Sequence, residues 1–85
     1  MKTFWFSVVV NEEITEKLTD QLFEAGCDDG TVSASQGVWK VGFAREAADL
    51  ETAFRTAISD VTSVGLTVRS VTLESEEIKG LITET

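Results

Sequence analysis

The sequence has 85 residues, a formal net charge of −8 and no histidine, proline or tyrosine. A chain of this length forms one domain, and its 42% hydrophobic content supports a folded core rather than disorder. Without histidine, the commonest metal ligand and the commonest general base are missing. An acidic surface also repels phosphate groups. We therefore expect no direct binding of nucleic acid by this chain.

The single cysteine, Cys27, excludes an intrachain disulfide and favours a reducing compartment. The apolar run near the N-terminus is too short for a signal peptide and is followed by residues 11–13 (Asn-Glu-Glu), without a small-residue cleavage site. No stretch approaches the length of a membrane span. These features predict a soluble, cytoplasmic protein of bacterial type with no membrane association.

The first half of the chain predicts a strand followed by a helix. Residues 3–10 are rich in aromatic and β-branched residues, and both faces of this strand are apolar, which is typical of a central strand. Thr15 is the predicted N-cap of a helix whose apolar residues recur at three- and four-residue spacing. Gly26 follows this helix at the position where a left-handed residue commonly ends one.

The middle of the chain predicts a hairpin. Residues 31–35 are polar and typical of an edge strand, and Gln36 and Gly37 form the turn. Residues 38–44 return as a stronger strand, in which Trp39, Val41 and Phe43 alternate with other residues and form the core face.

The second helix has the clearest pattern in the sequence. Asp49 is its predicted N-cap, and Gly65 ends it. Its apolar residues form one continuous stripe: Leu50, Ala53, Phe54, Ala57, Ile58, Val61 and Val64. Residues 66–73 predict a fourth strand, and residues 75–85 a short C-terminal helix.

The predicted order is strand, helix, strand, strand, helix, strand. Right-handed crossovers place both helices on one face of the sheet. We therefore expect an α+β fold of the ferredoxin-like split βαβ type, with a four-stranded antiparallel sheet. Strands one and three would be central, flanked by strands four and two. Residues 1–74 would form this domain, and residues 75–85 a C-terminal helical segment.

The face of the sheet opposite the helices carries exposed apolar residues, which form a sizeable patch for so small a domain. Either the C-terminal segment folds back over this patch, or a second copy or another protein covers it. We predict a homodimer, with a further protein partner as the alternative. The predicted interface residues are apolar and come from this face and the C-terminal segment: Trp5, Val9, Val38, Ile78, Leu81 and Ile82.

The residues with reactive or charged side chains do not form a catalytic pattern. Cys27 is the only conceivable nucleophile, and its helix end and its neighbours Asp28 and Asp29 disfavour the thiolate. The two aspartates match no calcium-loop spacing and are more typical of a turn. Arg45 and Glu46 are interpreted as a surface ion pair of little energetic weight. We predict no catalytic residue, no metal site and no cofactor.

Four short stretches and the spacing between them form a recognisable pattern. LFEAGCDD at residues 22–29 is followed by GV at 37–38, FAREA at 43–47 and AISDV at 57–61. These stretches and their spacing resemble a family of small bacterial helix-turn-helix DNA-binding regulators. The resemblance covers residues 4–73. It implies an N-terminal α+β part of this length, followed in the family by a helix-turn-helix.

The end of the sequence departs from that family. EIKGLI at residues 77–82 resembles the first helix of the helix-turn-helix, with Lys79 where a small residue is usual. The sequence stops at Thr85, where the turn and the recognition helix would begin. We expect either an excised domain or a protein without the DNA reader, so the resemblance does not transfer DNA binding to this chain.

Two functional hypotheses follow. The first is a non-catalytic module that assembles or regulates a bacterial DNA-binding protein, for example one of the antitoxin type. The alternative is a small-ligand-sensing ferredoxin-like domain. An enzyme ranks below both, because no nucleophile and base are found together in the sequence.

Overall fold

Four strands and two helices form the part of the chain described by the structure, a computed structural model covering residues 2–27 and 29–73. The elements in chain order are β1 Lys2–Val10, α1 Glu16–Glu24, β2 Gly30–Ser35, β3 Val38–Ala47, α2 Leu50–Ser63 and β4 Val68–Leu73. The strands form one antiparallel sheet in the order β2-β3-β1-β4. The predicted α+β fold with a four-stranded antiparallel sheet and two helices is confirmed. The predicted C-terminal helix lies outside the described residues.

β1 is the central strand that its two apolar faces predict. It pairs with β3 along its whole length, from Lys2 opposite Ala47 to Val10 opposite Trp39, and with β4 on its other side. Side chains alternate between the two faces of a strand. The residues of β1 that point to the core are Phe4, Phe6, Val8 and Val10, and all four are buried.

The hairpin between β2 and β3 has the predicted two-residue turn. Gln36 and Gly37 have φ values of 53° and 78°, and the flanking residues Ser35 and Val38 are paired. Two successive positive φ values define a type I′ turn, whose twist matches that of the strands. β3 continues to Ala47, beyond its predicted end at residue 44, because its pairing with β1 continues to that point.

Both helices begin and end as their capping residues predict. The Thr15 hydroxyl accepts a hydrogen bond from the Leu18 amide at 3.3 Å, and the Asp49 carboxylate accepts one from the Thr52 amide at 2.8 Å. Gly26 has the left-handed φ of 114° expected after α1. Neither of the described helices is long and apolar enough to cross a membrane.

One hydrophobic core joins both helices to the same face of the sheet. Leu22 of α1 and Ala53, Ala57 and Val61 of α2 are buried together with the inward residues of β1 and β3. At its centre, the ring of Phe6 stacks on a neighbouring ring of β3 at 5.4 Å. Phe6 also meets Phe54 edge to face, with 4.8 Å between ring centroids. Six of the seven residues predicted for the stripe of α2 therefore belong to this core, and Ile58 does not.

Truncating Phe54 tests this packing. Phe54→Ala is expected to lower the free energy of unfolding by roughly 2–4 kcal/mol, at or below the value for a fully buried aromatic residue, because the ring is half-buried. Urea unfolding followed by circular dichroism measures the loss.

Phe23→Ala is the matched control, since Phe23 is 51% exposed. This change should alter the free energy of unfolding by no more than about 0.5 kcal/mol. Equal losses for the two variants would contradict the assignment of Phe54 to the core.

The turn after β1 is attached to the start of β4 by two hydrogen bonds. The Asn11 amide donates to the Thr67 carbonyl at 3.1 Å, and the Thr67 amide donates to the Glu12 carboxylate at 2.8 Å. The bond from Thr67 lowers the pKa of Glu12 below its usual range. The folded state therefore favours the ionised carboxylate.

Glu12→Gln should reduce the acid dependence of stability. A carboxyl group with a lowered folded-state pKa contributes stability above its unfolded-state pKa, and this contribution is lost as the pH falls through the folded-state pKa. The variant should be less stable than the wild type at neutral pH, and the difference should shrink below about pH 4. Thermal unfolding across this range checks it. Glu13→Gln, at an exposed neighbouring position, is the control, and an equal response from both would contradict the assigned bond.

Candidate functional site

β3 extends beyond the end of β2, and a buried arginine lies on this extension. Gly30, the first residue of β2, pairs with Phe43, so the last residues of β3 have no β2 residue opposite them. Arg45 points to the helix side of the sheet and is only 8% exposed. Glu46 points to the other side, since neighbouring strand residues alternate. The expectation of a surface ion pair between Arg45 and Glu46 is therefore wrong.

All five N–H groups of the Arg45 guanidinium donate hydrogen bonds. Nε and Nη2 bind the two carboxylate oxygens of Asp29, both at 2.9 Å, in a bidentate pair. Nη1 binds Asp60 Oδ2 at 3.0 Å and Thr56 Oγ1 at 3.2 Å. Nη2 also binds the Gly26 carbonyl at 3.1 Å. We call this set of residues the Arg45 cluster.

The cluster joins three parts of the chain around one cation. Gly26 and Asp29 belong to the loop between α1 and β2, Arg45 to β3, and Thr56 and Asp60 to α2. Asp29 was expected to stabilise its own turn, but its carboxylate instead binds a residue 16 positions away. The cluster is therefore a tertiary contact that holds the loop after α1 against α2 and the sheet.

The aromatic ring of Phe43 packs against the Arg45 guanidinium. Phe43 lies two residues before Arg45 on the same face of β3, and the guanidinium carbon is 4.9 Å from its ring centroid. A planar guanidinium over a ring has both stacking and cation–π attraction. The hydrophobic core and the Arg45 cluster therefore meet at Phe43.

The electrostatics of the cluster favour a permanent charge on Arg45. The hydrogen bonds to Asp29 have the largest effect on the pKa of Arg45 and raise it above its usual range. Burial acts in the opposite direction, and the hydrogen bond to Asp60 raises the pKa further. The side chains of Asp29 and Asp60 are 26% and 27% exposed, so both carboxylates still reach water. One cation and two carboxylates give the cluster a formal charge of −1.

Gly26 is required here by two independent constraints. Its φ of 114° is strained for any residue with a side chain, and a Cβ atom would lie 3.1 Å from Asp60 Oδ2. The helix pattern predicts only the first constraint. The approach of Gly26 to α2 is a tertiary feature, which lets its carbonyl reach Arg45.

A shallow depression of about 500 Å³ lies beside the cluster. Its lining combines the cluster with two neighbouring residues of β3: Gly26, Asp29, Ala44, Arg45, Glu46, Thr56 and Asp60. Because every Arg45 donor is already used, the depression offers no free guanidinium N–H to an anion. Within residues 2–27 and 29–73, no three His, Cys, Asp or Glu side chains are placed to hold a metal ion. Asp28, which was considered above as a metal ligand, lies outside the described residues.

Cys27, the conceivable nucleophile, is next to the cluster in sequence but is 2% exposed. A thiol buried to this extent is not open to a substrate from solution. The side-chain contacts that the structure shows beside Cys27 are ion pairs and hydrogen bonds.

The predicted interface residues of the sheet lie on the face away from the helices. Trp5 is 46% exposed and Val38 is 38% exposed, whereas Val9 is half-buried. Val9 is opposite Lys40, two residues from Val38, so these valines are diagonal neighbours. Trp5 lies four residues from Val9 on β1, about 13 Å away.

The remaining predicted interface residues come from the C-terminal segment: Ile78, Leu81 and Ile82. All three lie outside the described residues.

A comparison of the chain with protein-family models, curated proteins and solved structures finds no match.

The stretches quoted for the family resemblance contain the residues of the Arg45 cluster, although local sequence patterns do not show that these residues meet. Three of the four stretches that carry the family resemblance meet here. The first contains Gly26 and Asp29, the third contains Arg45, and the fourth contains Asp60. Helix and strand periodicity cannot reveal this meeting, because the partners are 15 to 19 residues from Arg45.

Removing the arginine should destabilise the fold. Arg45→Ala leaves two carboxylates facing each other, and we expect a loss of roughly 2–4 kcal/mol in the free energy of unfolding, reduced from the value for a fully buried pair because both carboxylates reach water. Arg45→Lys keeps the charge but loses the bidentate pair, so its loss should be intermediate. Urea unfolding measures both.

The control is Arg55→Ala. Arg55 pairs with Glu51 on α2, where the side chains are 72% and 77% exposed, and its removal should cost less than about 0.5 kcal/mol. A loss for Arg45→Ala no larger than that for Arg55→Ala would show that the cluster does not stabilise the fold.

Proposed function

We propose that this domain is a non-catalytic assembly module of a bacterial DNA-binding regulator and that two copies associate through the sheet face opposite the helices. We further assign it to the ferredoxin-like split βαβ class. The observation that carries the proposal is Trp5, a large aromatic residue that remains 46% exposed on a central strand. Exposed tryptophan is typical of interfaces, where it supplies large contact area.

The open face is defined by the side chains of alternating residues on all four strands. Register places them together: Thr3, Trp5, Ser7, Val9, Thr31, Ser33, Ser35, Val38, Lys40, Gly42, Ala44, Glu46, Ser70 and Thr72. Nearly all of these side chains are uncharged. Lys40 and Glu46 are the charged ones in this list, and Arg69, exposed at the bulge of β4 between Val68 and Ser70, adds a positive charge beside it.

The charge distribution favours a second copy as the occupant. The whole chain carries −8, so two copies repel each other at long range. The open face carries few charges, Lys40, Glu46 and the exposed Arg69 at the bulge of β4, and has no excess of negative charge, whereas the Arg45 cluster on the helix side has a net negative charge. Contact through the open face therefore brings together the surfaces with the least repulsion.

The size of the open face also fits a dimer. β1 has nine residues and is about 30 Å long, and four strands are about 19 Å wide. Because β2 and β4 have six residues each, the planar extent is roughly 490 Å², somewhat below the ~600 Å² per partner found at the lower end of specific interfaces. Additional surface would come from side chains that stand out from the sheet.

The link to a DNA-binding regulator rests on the resemblance of residues 22–61 and of residues 77–82 to that family. We assign the DNA contacts to other parts of such a regulator, because the charge of −8 opposes the approach of phosphates. Assembly is favoured over small-ligand sensing, because the cation lining the depression in the described chain already uses all its donors.

Sedimentation equilibrium tests the assembly. The wild type should be a dimer at micromolar concentration, and Trp5→Glu should raise the dimer dissociation constant by at least about tenfold, because it places a carboxylate in an apolar contact. Phe23→Glu is the matched control, since Phe23 is an aromatic residue of similar exposure on α1, and it should leave the dimer intact.

Two outcomes would contradict the proposal. A wild type that stays monomeric at high micromolar concentration means that the open face does not mediate self-association and favours the chain's own C-terminal segment or another protein as its cover. A dimer that persists in Trp5→Glu but dissociates in Phe23→Glu moves the interface to the helix side.

A further inference from the structure

The outer edge of β2 lacks the features that keep sheet edges from pairing with other strands. Its six residues, GTVSAS, include no charged side chain and no proline, and its register with β3 has no bulge. A sheet edge without these features is a template for a further strand. We propose that the β2 strands of two copies pair antiparallel to each other, centred on Ser33, and join the two sheets into one sheet of eight strands.

The register of the hairpin shows which main-chain groups of β2 point outward. The two residues that flank a two-residue hairpin turn exchange hydrogen bonds, and such pairs alternate along the ladder. Ser35, Ser33 and Thr31 therefore bond to β3. The N–H and C=O groups of Val32 and Ala34 point to the outer edge, where no described residue bonds to them. Each copy thus presents two outward N–H groups and two outward C=O groups.

The opposite edge of the sheet, β4, is protected. Its pairing with β1 is interrupted by a bulge between Val9 and Val10, and the charged, exposed Arg69 lies at this bulge. Bulges and charged side chains are common means of blocking edge-to-edge pairing. The two edges of the same sheet therefore differ, and β2 is the edge open to a further strand.

One symmetric register uses all four outward groups of each copy. When Ser33 lies opposite Ser33 of the partner subunit, Val32 lies opposite the partner's Ala34, and Ala34 lies opposite the partner's Val32. Each of these two pairs exchanges two N–H···O=C hydrogen bonds. The two-fold axis is perpendicular to the sheet and passes between the two Ser33 residues, so the same patch serves both copies.

The side chains that meet in this register are small or apolar, and all are uncharged. On the open-face side, Ser33 meets its own copy and Thr31 meets the partner's Ser35. On the helix side, Val32 meets Ala34 of the partner subunit. Because no bulky or charged side chain lies opposite another, the two edges fit each other along the whole of β2.

The charges next to this edge do not oppose a second copy. Lys40 is opposite Ser33 on β3, so it would be three strand spacings, about 14 Å, from Lys40 of the partner subunit. This distance exceeds the screening length of about 10 Å in 0.1 M salt. Asp29, which precedes β2, has its carboxylate bound by Arg45. In a chain of net charge −8, an uncharged edge is therefore a favourable place for two copies to meet.

The edge pair would enlarge the surface assigned to self-association. An axis perpendicular to the sheet keeps both open faces on the same side, where together they cover roughly 980 Å², more than the ~600 Å² per partner of small specific interfaces. This consequence rests on the proposed open-face dimer, whereas the edge pair itself does not. With four main-chain hydrogen bonds and no aromatic residue, the edge pair should form at higher concentrations than the open-face dimer.

A cysteine at the axis tests the edge pair. Opposite residues of a non-hydrogen-bonded antiparallel pair have Cα atoms about 4.5 Å apart, within the range for a disulfide. Ser33→Cys should therefore form a disulfide-linked dimer in oxidised glutathione at high micromolar protein concentration. Non-reducing gel electrophoresis measures the rate. The wild type gives the background, since its own Cys27 is 2% exposed.

Thr31→Cys and Ser35→Cys are the matched controls, because both positions are exposed on the same strand. In either homodimer the two cysteines are offset by four residues, about 13 Å, which is too far for a disulfide. Each variant alone should cross-link at least about tenfold more slowly than Ser33→Cys. A mixture of the two should form the heterodimer rapidly, because Thr31 lies opposite the partner's Ser35, and mass spectrometry identifies this product.

A proline at position 34 separates pairing from folding. The Ala34 N–H points away from β3, so Ala34→Pro removes no ladder hydrogen bond within the domain, and edge strands accept proline at such positions. Added to Ser33→Cys, it should slow cross-linking to the rate of the two controls. Circular dichroism and thermal unfolding establish that each variant is folded.

The outcomes for the edge pair and for the open-face dimer can be told apart. Equal cross-linking rates for Ser33→Cys and its controls would overturn the edge pair, as would cross-linking that Ala34→Pro does not slow. Such results with an open-face dimer that Trp5→Glu disrupts would leave the proposed function in place. Cross-linking of Ser33→Cys in a protein whose association does not respond to Trp5→Glu would support the edge pair and overturn the open-face dimer.

Discussion

The bidentate ion pair between Arg45 and Asp29 is the contact on which the arrangement of this domain most depends. α1 contributes Leu22 to the fully buried residues, so the apolar core alone gives it a limited attachment. The loop that follows α1 is instead held by Arg45, through Asp29 and the Gly26 carbonyl. Replacing a buried ion pair by apolar residues is often neutral or stabilising, so the visible consequence of these contacts is positional: they fix the loop after α1 relative to β3 and α2.

β3 connects this cluster to the open face. Its inward residues Phe43 and Arg45 belong to the core and the cluster, while the outward residues Ala44 and Glu46 belong to the open face. The cluster holds the end of β3 against α2 and therefore also positions the outward residues there. A fold-stabilising contact on one side of the sheet therefore supports the geometry of the proposed interface on the other.

Acidic charge gives the two faces different roles. The helix side combines the hydrophobic core with a cluster in which two carboxylates surround one cation. The described residues of the open face are nearly all uncharged, with Lys40, Glu46 and, at the bulge of β4, Arg69 as the exceptions. In a chain of net charge −8 this contrast supports the proposed self-association through the open face, because repulsion between like-charged molecules depends on which surfaces approach.

Local sequence determined most of the secondary structure, because caps, turns and periodicity act over a few residues. Thr15 and Asp49 begin the helices, Gln36 and Gly37 form the hairpin turn, and all residues of the predicted α2 stripe except Ile58 pack in the core. Tertiary structure decided two features. β3 continues to Ala47 because β1 provides hydrogen-bonding partners to that point, regardless of local propensity. Arg45 is buried because Asp29 and Asp60 satisfy its charge, and these partners are brought to it only by the packing of the loop and α2 on the sheet.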